Sequence, residues 1–154
     1  MPDKIPPLDP SALLAAWTKR CYLAGRVAME AALRPYDLGA TQWFVLYHLS
    51  RQGPTRQRDL PKILEVERAT LSTVVAVMVR KGLIEQVPDK VDQRQKHLRM
   101  TARGESLWAG IPDLSFIHRA AFDGLDPSAI ATTIGLLERA VQRLERLSGK
   151  GADT

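Results

Sequence analysis

The clearest structural signal lies in residues 82–103, which read GLIEQVPDKVDQRQKHLRMTAR. Apolar and polar residues alternate along 83–87 and again along 97–100, as expected of two β-strands with mixed faces. The polar segment between them predicts the tip of a hairpin, and Thr101 begins a new helix. Upstream, residues 66–81 have helical spacing and stop at Gly82, a residue suited to the left-handed position after a helix. The sequence therefore predicts a helix that leads directly into a cationic β-hairpin.

The positive charge of the chain is concentrated around this unit. The 154 residues contain 22 Lys and Arg against 17 Asp and Glu, and residues 51–103 alone hold 12 basic and 6 acidic side chains. The net charge is therefore +6 in this region and −1 in the remainder. Such a patch favours double-stranded DNA, because the helix can enter the major groove while the hairpin contacts phosphate or the minor groove. A membrane partner is disfavoured because the cations do not lie along one amphipathic helix.

Further helices are predicted on both sides of this unit. The first follows a Pro-rich arm, with Asp9 as its cap, Pro10 at its first position and Leu8 placed to pack on Leu13. The predicted helices cover Pro10 to about Arg34, Thr41–Arg51, a short segment capped by Thr55, Thr101 to Phe122 with a break near Gly110-Ile111-Pro112, and Pro127 to about Leu147. The expected fold is mainly α-helical with a small β-wing.

The apolar positions of these helices define the expected core. Leu71, Val74, Val75 and Met78 form an inward stripe at helical spacing in the helix before Gly82. The second and third helices are expected to contribute Trp43, Leu46, Tyr47, Ser50, Leu60, Ile63 and Leu64. The outward face of the helix before Gly82 then consists of Ala69, Thr70, Thr73, Ala76, Val77 and Arg80.

The terminal helices are too apolar to remain uncovered. The last helix carries an apolar stripe at three- and four-residue steps, and Leu13 lies on a similarly sided first helix. The stripe consists of Ile130, Ile134, Leu137, Val141 and Leu144. Packing within one chain would cover these faces, but a dimer interface is favoured because a protein that reads DNA gains two half-sites from twofold symmetry.

The order of these elements and several short motifs resemble the multiple antibiotic resistance regulator (MarR) family of winged-helix transcription factors. The similarity runs from about Ala12 to Leu147. It rests on LGATQWFVL at 38–46, RDLPKIL at 58–64, ATLS at 69–72, KGLI at 81–84, and DQRQK at 92–96 leading to LRMT at 98–101. Each motif is weak alone, but in this order and spacing the set is specific.

The resemblance implies a single winged helix-turn-helix domain flanked by dimerisation helices. Its expected parts are an N-terminal arm at 1–10, a dimerisation helix at 11–37, the DNA-binding region at 38–103, C-terminal dimerisation helices at 104–148 and a tail at 149–154. The family further implies a homodimer that represses transcription from a pseudo-palindromic operator until a small molecule releases it.

The family pattern and the charge distribution together indicate a set of DNA-binding residues. They are Arg56, Arg58, Arg68, Thr70, Ser72, Thr73, Val77, Lys90, Gln93, Arg94 and Lys96. Arg94 matches the Arg of the family's wing tip and is expected to enter the minor groove, where narrow A·T-rich DNA attracts a guanidinium. Asp92 is expected to hold the shape of the wing. Thr73 and Val77 stand where family members often carry Arg, so contacts to thymine methyl groups are expected in place of bidentate contacts to guanine.

No motif of an enzyme is found in the sequence. His48, His97 and His118 are widely spaced, and there is no metal-ligand motif, Gly-rich phosphate loop or nucleophile elbow. Neither a cofactor nor a metal is therefore expected. The sequence also shows no secretory signal and no run long enough to span a membrane, which predicts a cytoplasmic protein.

A small-molecule site is predicted where the first two helices meet the base of the wing. Arg20 interrupts an apolar line of the first helix, and family geometry places Trp17, Trp43, Tyr47 and His48 near it. A cation among aromatic side chains suits an aromatic carboxylate, which is the expected effector. The alternative for Arg20 is an intersubunit ion pair, or a side chain that extends to solvent.

Two other functions remain open. Cys21 lies in the first helix, as the reactive cysteines of peroxide-sensing relatives do, but it falls on an inward line with Trp17 and Ala24. A buried, inert thiol is therefore favoured over redox control. The second alternative is a winged helix that binds another protein. Val77 is expected to be exposed, and the helix before Gly82 lacks the Arg residues that family members often carry at positions 73 and 77. Salt dependence separates these readings, because DNA binding through several cations weakens steeply as salt rises.

Overall fold

The fold consists mainly of helices, with one small antiparallel sheet. A computed structural model describes residues 9–149, so most of the predicted arm, the contact of Leu8 with Leu13 and most of the tail lie outside the described residues. The elements are α1 (Pro10–Leu33), α2 (Ala40–Gln52), β1 (Thr55–Arg56), α3 (Leu60–Leu64), α4 (Arg68–Arg80), β2 (Ile84–Pro88), β3 (Lys96–Met100), α5 (Ala102–Gly110), α6 (Ser115–Phe122) and α7 (Pro127–Leu147). Short 3₁₀ turns lie at Arg34–Tyr36 and Gln57–Asp59. The order confirms the predicted winged helix-turn-helix.

Helix α1 begins and ends as its sequence predicts. The Asp9 carboxylate accepts a hydrogen bond from the Ser11 backbone N–H at 2.8 Å, and Pro10 occupies the first helical position, where no N–H donor is required. The helix ends at Leu33, which is fully buried. Most side chains between 13 and 28 are exposed, so only the C-terminal part of α1 packs on the core.

The core lies between α2, α4 and the sheet. Its buried members are Leu33, Leu38, Val45, Leu46, Leu49, Leu60, Leu71, Val75, Met78, Leu83, Ile84, Leu98 and Leu114. The inward stripe predicted for α4 is confirmed, because Leu71, Val75 and Met78 are buried and Val74 is partly buried. Burial of each such side chain contributes roughly 1.5–3 kcal/mol, so this aliphatic set is the main source of stability around the wing.

The buried face predicted for α2 is confirmed for Leu46 and in part for Trp43, but it is wrong for Tyr47 and Ser50. The helix buries Val45, Leu46 and Leu49, whereas Tyr47 is 41% exposed and Ser50 is exposed. The reason is that α2 has two apolar sides at helical spacing, and periodicity alone does not say which one meets α4. The aliphatic side faces the core, and the aromatic side faces α5, where it forms a separate cluster of rings described below.

The sheet contains a third strand that the sequence pattern did not indicate. Thr55 does not cap a helix, as predicted, but lies in β1 and pairs with Leu98 of β3. Its hydroxyl donates a hydrogen bond to the Gly53 carbonyl oxygen at 3.0 Å. A two-residue strand is too short to produce an alternating pattern. The following α3 is also short, and it buries Leu60 while leaving Ile63 48% exposed, contrary to the prediction for Ile63.

The predicted wing is confirmed as an antiparallel hairpin of β2 and β3. Ile84 lies opposite Met100, and the pairing continues to Pro88 opposite Lys96. The tip is closed by the Asp89 backbone N–H, which donates to the Gln95 carbonyl oxygen at 2.9 Å. The hairpin therefore has a fixed register, and the positions of its tip residues relative to α4 are fixed with it.

Two glycines allow the chain to turn between α4, the wing and α5. Gly82 has a φ of +72°, a left-handed conformation that glycine adopts without strain. Gly104 lies directly against the chain that enters the wing, because a Cβ atom at this position would be 2.0 Å from the Leu83 carbonyl oxygen. The same carbonyl accepts a hydrogen bond from the Thr101 backbone N–H at 3.0 Å. The start of α5 is thus tied to the start of β2.

The chain divides into two units, and the boundary follows Ile117. The second unit contains α7, whose start repeats the capping chemistry of α1: the Asp126 carboxylate accepts from the Ser128 backbone N–H at 3.1 Å. The predicted apolar face of α7 is present, and Val141 and Leu144 are 53% and 62% exposed. An apolar helical face of this exposure is typical of an interface with another surface.

Candidate nucleic-acid interface

A concave basic surface opens between α3, the first turn of α4 and the wing. Its volume is about 460 Å³. We call it the basic cleft, and its lining residues are Gln57, Arg58, Pro61, Arg68, Leu71, Ser72, Gln86, Arg94, Gln95 and Lys96. Four of these residues are cations, and none of the described residues that line the cleft is acidic. Gathering like charges costs free energy, and a polyanionic partner offsets that cost.

The basic cleft brings together five of the predicted DNA-binding residues from three separate elements. Arg58 comes from the 3₁₀ turn before α3, and Arg68 and Ser72 come from α4. Arg94 lies in the wing tip, and Lys96 is the first residue of β3. The sequence separates these residues widely, so the cluster is a product of the tertiary fold.

Helix α4 presents an exposed polar face beside the basic cleft. Thr70, Ser72 and Thr73 are exposed on this face. The Thr73 hydroxyl donates to the Ala69 carbonyl oxygen at 3.1 Å, which leaves its methyl group and an oxygen lone pair for a partner. Val77 is partly buried, so less of this side chain is available to a partner than the sequence predicted. Most of the surface available for contacts to bases is therefore hydroxyl and methyl groups.

The wing tip is held in shape by Asp92, as predicted. One carboxylate oxygen of Asp92 accepts the Arg94 backbone N–H at 3.1 Å, and the other accepts from the Gln95 side-chain amide at 3.3 Å. The Asp92 backbone carbonyl accepts the Gln95 N–H at 2.9 Å. This local turn presents the Arg94 side chain to solvent on a defined backbone.

Asp89 joins the base of the wing tip to β1 and β3. One of its carboxylate oxygens accepts the Val91 backbone N–H at 3.0 Å, and the other lies 3.3 Å from His97 Nε2 and 3.7 Å from Arg56 Nε. The hydrogen bond from Val91, followed by that from His97 and the nearby positive charges, lowers the pKa of Asp89. The charge of Arg56 is thus partly neutralised by Asp89, and this ion pair connects β1 to the base of the wing tip.

The other predicted DNA-binding residues lie around the cleft. Lys90 and Gln93 are exposed in the segment between the two wing strands. Arg58 lies 3.7 Å from Asp59, and both side chains are about half exposed. An exposed ion pair of this kind contributes at most about 1 kcal/mol, so it leaves the Arg58 guanidinium available to a phosphate.

Three uncharged residues of the basic cleft did not emerge from the sequence pattern. The Gln86 side-chain amide donates to Gln57 Oε1 at 2.8 Å, which connects β2 with the turn before α3. Gln95 places its Oε1 in a buried position without a hydrogen-bond partner among the described residues. A charge count does not reveal glutamines, and the signal that could have found Gln86 is the alternation of positions along β2, where Gln86 is exposed between two partly buried residues.

The family model of the MarR family matches residues 36–95 of this chain, which include α2, α3, α4 and the wing tip. This part of the chain is similar to the MarR family of transcriptional regulators. The matched segment contains all ten residues of the basic cleft except Lys96, which directly follows it.

Solved structures show that the MarR-type fold extends beyond the matched segment. A mutant of MarR from E. coli in complex with operator DNA superposes with a TM-score of 0.74 at 22% identity, covering 82% of this chain and 92% of that one. BpsR from Bordetella bronchiseptica gives 0.75 at 23% identity, with 88% and 98% covered. AbsC from Streptomyces coelicolor, a MarR family transcriptional regulator, gives 0.76 at 21% identity, with 90% and 97% covered.

An aromatic cluster between α2 and α5 contains two of the predicted small-molecule residues. The rings of Trp43 and Tyr47 stack with centroids 5.1 Å apart, and Trp108 of α5 lies 5.5 Å from Trp43. Trp108 was not indicated by the sequence pattern. The indole Nε1 of Trp43 is buried and has no hydrogen-bond acceptor among the described residues.

The other predicted small-molecule residues lie elsewhere in the described chain. The Arg20 guanidinium stacks 4.6 Å from the ring centre of Trp17, which is 60% exposed. His48 lies 3.1 Å from the Thr55 hydroxyl at the start of β1. Within residues 9–149, Trp17 makes no ring contact with the aromatic cluster of Trp43. The single chain thus divides the predicted pocket into two groups.

The prediction that Cys21 is a buried thiol is wrong for this chain. Cys21 is exposed, as are Trp17 and Ala24 on the same line of α1. The physical reason is that this part of α1 lies beyond the core, which the helix reaches only near its C-terminal end. Periodicity identified an apolar line correctly, but it did not show that the line is left uncovered in a single copy of the chain.

Two kinds of feature are absent from residues 9–149. None of the helices there combines the length and apolar character that a membrane crossing requires. In the same part of the chain, no group of three or more His, Cys, Asp or Glu residues is arranged to hold a metal ion.

Proposed function

We propose that this protein is a MarR-type regulator, a homodimer that binds a pseudo-palindromic operator and represses transcription until a small molecule releases it. The observation that carries the DNA-binding part is the basic cleft, in which four cations from the turn before α3, from α4 and from the wing face one concavity without a carboxylate lining it. A solved structure of MarR in complex with operator DNA, whose fold superposes on this chain, supports DNA as the partner.

In the proposed complex, α4 enters the major groove and the wing follows the adjacent backbone. Arg58, Arg68 and Lys96 contact phosphates, which fixes the position of α4 but carries no sequence information. Arg94 enters the minor groove, where a narrow A·T-rich segment attracts its guanidinium. Thr70, Thr73 and Val77 contact base edges, and their methyl groups favour thymine.

The homodimer is supported by the exposed apolar side chains of α1 and α7. On α1, Leu13 is 44% and Val27 67% exposed, and α7 exposes Val141 and Leu144 to a similar degree. A second copy of the chain would cover these faces and supply a second α4 about 34–36 Å away, one turn of DNA from the first. Obligate interfaces of this type are as apolar as a domain core.

We propose an aromatic carboxylate as the effector. The solved BpsR structure concerns regulation of DNA binding by 6-hydroxynicotinic acid, a ligand of this chemical class. In this chain, Arg20 supplies a cation beside Trp17 on α1, and Trp43, Tyr47 and His48 supply stacking and hydrogen-bonding groups on α2. The proposal requires the homodimer to bring these two groups together, because a single chain leaves them apart. Such a ligand releases DNA only if it binds the non-binding conformation more tightly, so DNA must lower its affinity by the same factor.

Salt-dependent binding to DNA tests the proposed function. Fluorescein-labelled duplexes that tile the DNA beside the protein's own gene would be titrated with the protein, and anisotropy measured between about 50 and 200 mM salt. One duplex should bind much more tightly than a scrambled duplex of equal composition. Its affinity should fall by about 10³-fold or more over this range if several cations contact phosphates. Equal binding to every duplex, or binding that salt does not weaken, contradicts the proposal, and the latter favours a protein-binding winged helix.

Redox control through Cys21 is the alternative that the exposed thiol keeps open. Adding hydrogen peroxide to the complex of protein and duplex distinguishes the two modes of release. We expect wild type and Cys21→Ser to stay bound equally well. Release of wild type alone, reversed by a thiol reductant, would replace the small-molecule effector with an oxidant.

A further inference from the structure

Lys81 occupies an unusual position at the C-terminal end of α4. It is the last residue before Gly82, and its side chain leaves the helix and reaches the junction between α1 and α2. There the Lys81 ammonium donates to the Asp37 backbone carbonyl oxygen and to Gln42 Oε1, the latter at 3.2 Å. It also lies 3.4 Å from the Asp37 carboxylate.

The burial of these groups shows which contacts matter. The Lys81 side chain is 26% exposed, whereas the Asp37 carboxylate is 92% exposed. An ion pair to so exposed a carboxylate contributes little. The backbone carbonyl of Asp37 and the amide oxygen of Gln42 are therefore the main partners, and they hold the ammonium by charge-assisted hydrogen bonds. Asp37 has a φ of 52°, so its carbonyl is presented by a tight left-handed turn.

This contact connects the C-terminal end of α4 with the junction between α1 and α2. Asp37 ends the 3₁₀ turn that follows α1, and Gln42 lies in the first turn of α2. On the other side, Lys81 precedes Gly82 and Leu83, whose carbonyl oxygens accept hydrogen bonds from Thr101 at the start of α5. The end of α4 is thus tied to α1 and α2 on one side and to α5 on the other.

We propose that Lys81 is a positioning residue that fixes the angle of the recognition helix α4 relative to the junction of α1 and α2. The inference rests on the proposed DNA-binding function of α4. In it, Lys81 does not contact DNA; it holds α4 in the orientation that fits the major groove. A change in the packing of α1 reaches α4 through the Asp37 carbonyl and Gln42, so this contact is one route by which an effector changes DNA affinity.

Four variants separate positioning from a phosphate contact. Lys81→Met keeps the aliphatic stem and removes the ammonium. Lys81→Arg is the conservative variant, because it keeps a cation that can reach the same acceptors. Gln42→Leu removes one acceptor without changing any charge. Arg34→Met is the matched control, because Arg34 lines the same groove of about 370 Å³ and its loss removes the same charge.

The measurements are operator affinity, its salt dependence, thermal stability and amide hydrogen exchange, using the duplex that wild type binds most tightly. Lys81→Met should raise Kd about tenfold, which corresponds to about 1.4 kcal/mol, and Gln42→Leu should raise it about threefold. The salt slope should remain that of wild type and the melting temperature should fall only slightly, while amide exchange becomes faster at residues 34–42 and 78–83. Lys81→Arg should recover most of the affinity, and Arg34→Met should bind like wild type.

Each contrary result has a defined meaning. A salt slope lowered by about 1 in Lys81→Met, with Gln42→Leu unchanged, would show a direct phosphate contact and overturn the proposal. Unchanged affinity in Lys81→Met would overturn it as well, as would a lower melting temperature with unchanged Kd, which identifies a purely structural lysine. If wild type binds none of the duplexes, the proposed function fails first, and the exchange data alone then decide whether Lys81 holds α4 in place.

Discussion

Asp92→Ala should weaken operator binding, although it removes a negative charge from the part of the wing that we propose to face DNA. The Asp92 carboxylate accepts hydrogen bonds from the Arg94 backbone N–H at 3.1 Å and from the Gln95 side chain at 3.3 Å. Without it, the tip has no side-chain acceptor for the Arg94 N–H, and the backbone that presents the Arg94 guanidinium gains freedom. Fixing that backbone again on DNA then costs conformational entropy.

The two opposing effects differ in size. Loss of a side-chain to backbone turn contact on an exposed segment costs about 1 kcal/mol, as for the loss of a helix cap. Removing the charge gains less, because two unit charges on the order of 10 Å apart in water interact by about 0.4 kcal/mol before salt screens them. The structural cost therefore outweighs the electrostatic gain, and Kd should rise about threefold to fivefold.

Asp92→Asn provides the matched control for this prediction. Its amide oxygen can still accept the Arg94 N–H, so it removes the charge and retains the turn. Anisotropy titrations at one salt concentration should rank Asp92→Asn equal to or slightly tighter than wild type, and Asp92→Ala weaker than both. If Asp92→Ala binds as tightly as Asp92→Asn, Asp92 acts only through its charge and the argument about the wing shape is refuted.

Three further predictions concern DNA contact, assembly and release. Arg94→Ala should weaken operator binding by about 1–3 kcal/mol, and Lys90→Ala should mainly lower the slope of log affinity against log salt by about 1. If Arg94→Ala binds like wild type at equal salt, the minor-groove role of Arg94 is rejected. Changing Leu137 and Val141 together to Asp should yield monomer or unfolded chain in sedimentation experiments, because an unpaired buried carboxylate is costly. A wild type that is already monomeric at micromolar concentration would contradict the dimer. Arg20→Ala should keep operator affinity but abolish release by aromatic carboxylates such as 6-hydroxynicotinic acid, whereas loss of dimerisation in this variant would make Arg20 structural.

Much of the secondary structure could be predicted because its signals are local. The caps Asp9 and Asp126, each followed by Pro, mark the starts of α1 and α7 at the residues where the helices begin. Gly82 ends α4 because the chain there needs a positive φ. The alternation along the wing fixed the two strands and the tip between them. All these signals act within a few residues, so the sequence contains them in full.

The errors arose where a choice depends on distant residues. Tyr47 and Cys21 both lie on apolar helical lines, yet both are exposed in this chain. Which side of a helix is buried depends on what packs against it, and the pattern of one helix does not contain that information. The strand around Thr55 was missed for the same reason, since the strand that pairs with it is β3, far along the sequence.

The candidate DNA-binding site likewise combines features that the sequence predicts with features that only the tertiary structure reveals. The sequence supplied its cations, the Arg94 tip and the excess of positive charge in residues 51–103, because residue type and spacing are enough for these. Only the tertiary structure placed Arg58, Arg68 and Lys96 around one cleft, added Gln86 to it, and brought Asp89 against Arg56 and His97. The contact of Lys81 with the α1–α2 junction is likewise a tertiary feature. Local propensity depends on neighbours along the chain, whereas the geometry of a site depends on neighbours in space, and these are known only once the core has packed.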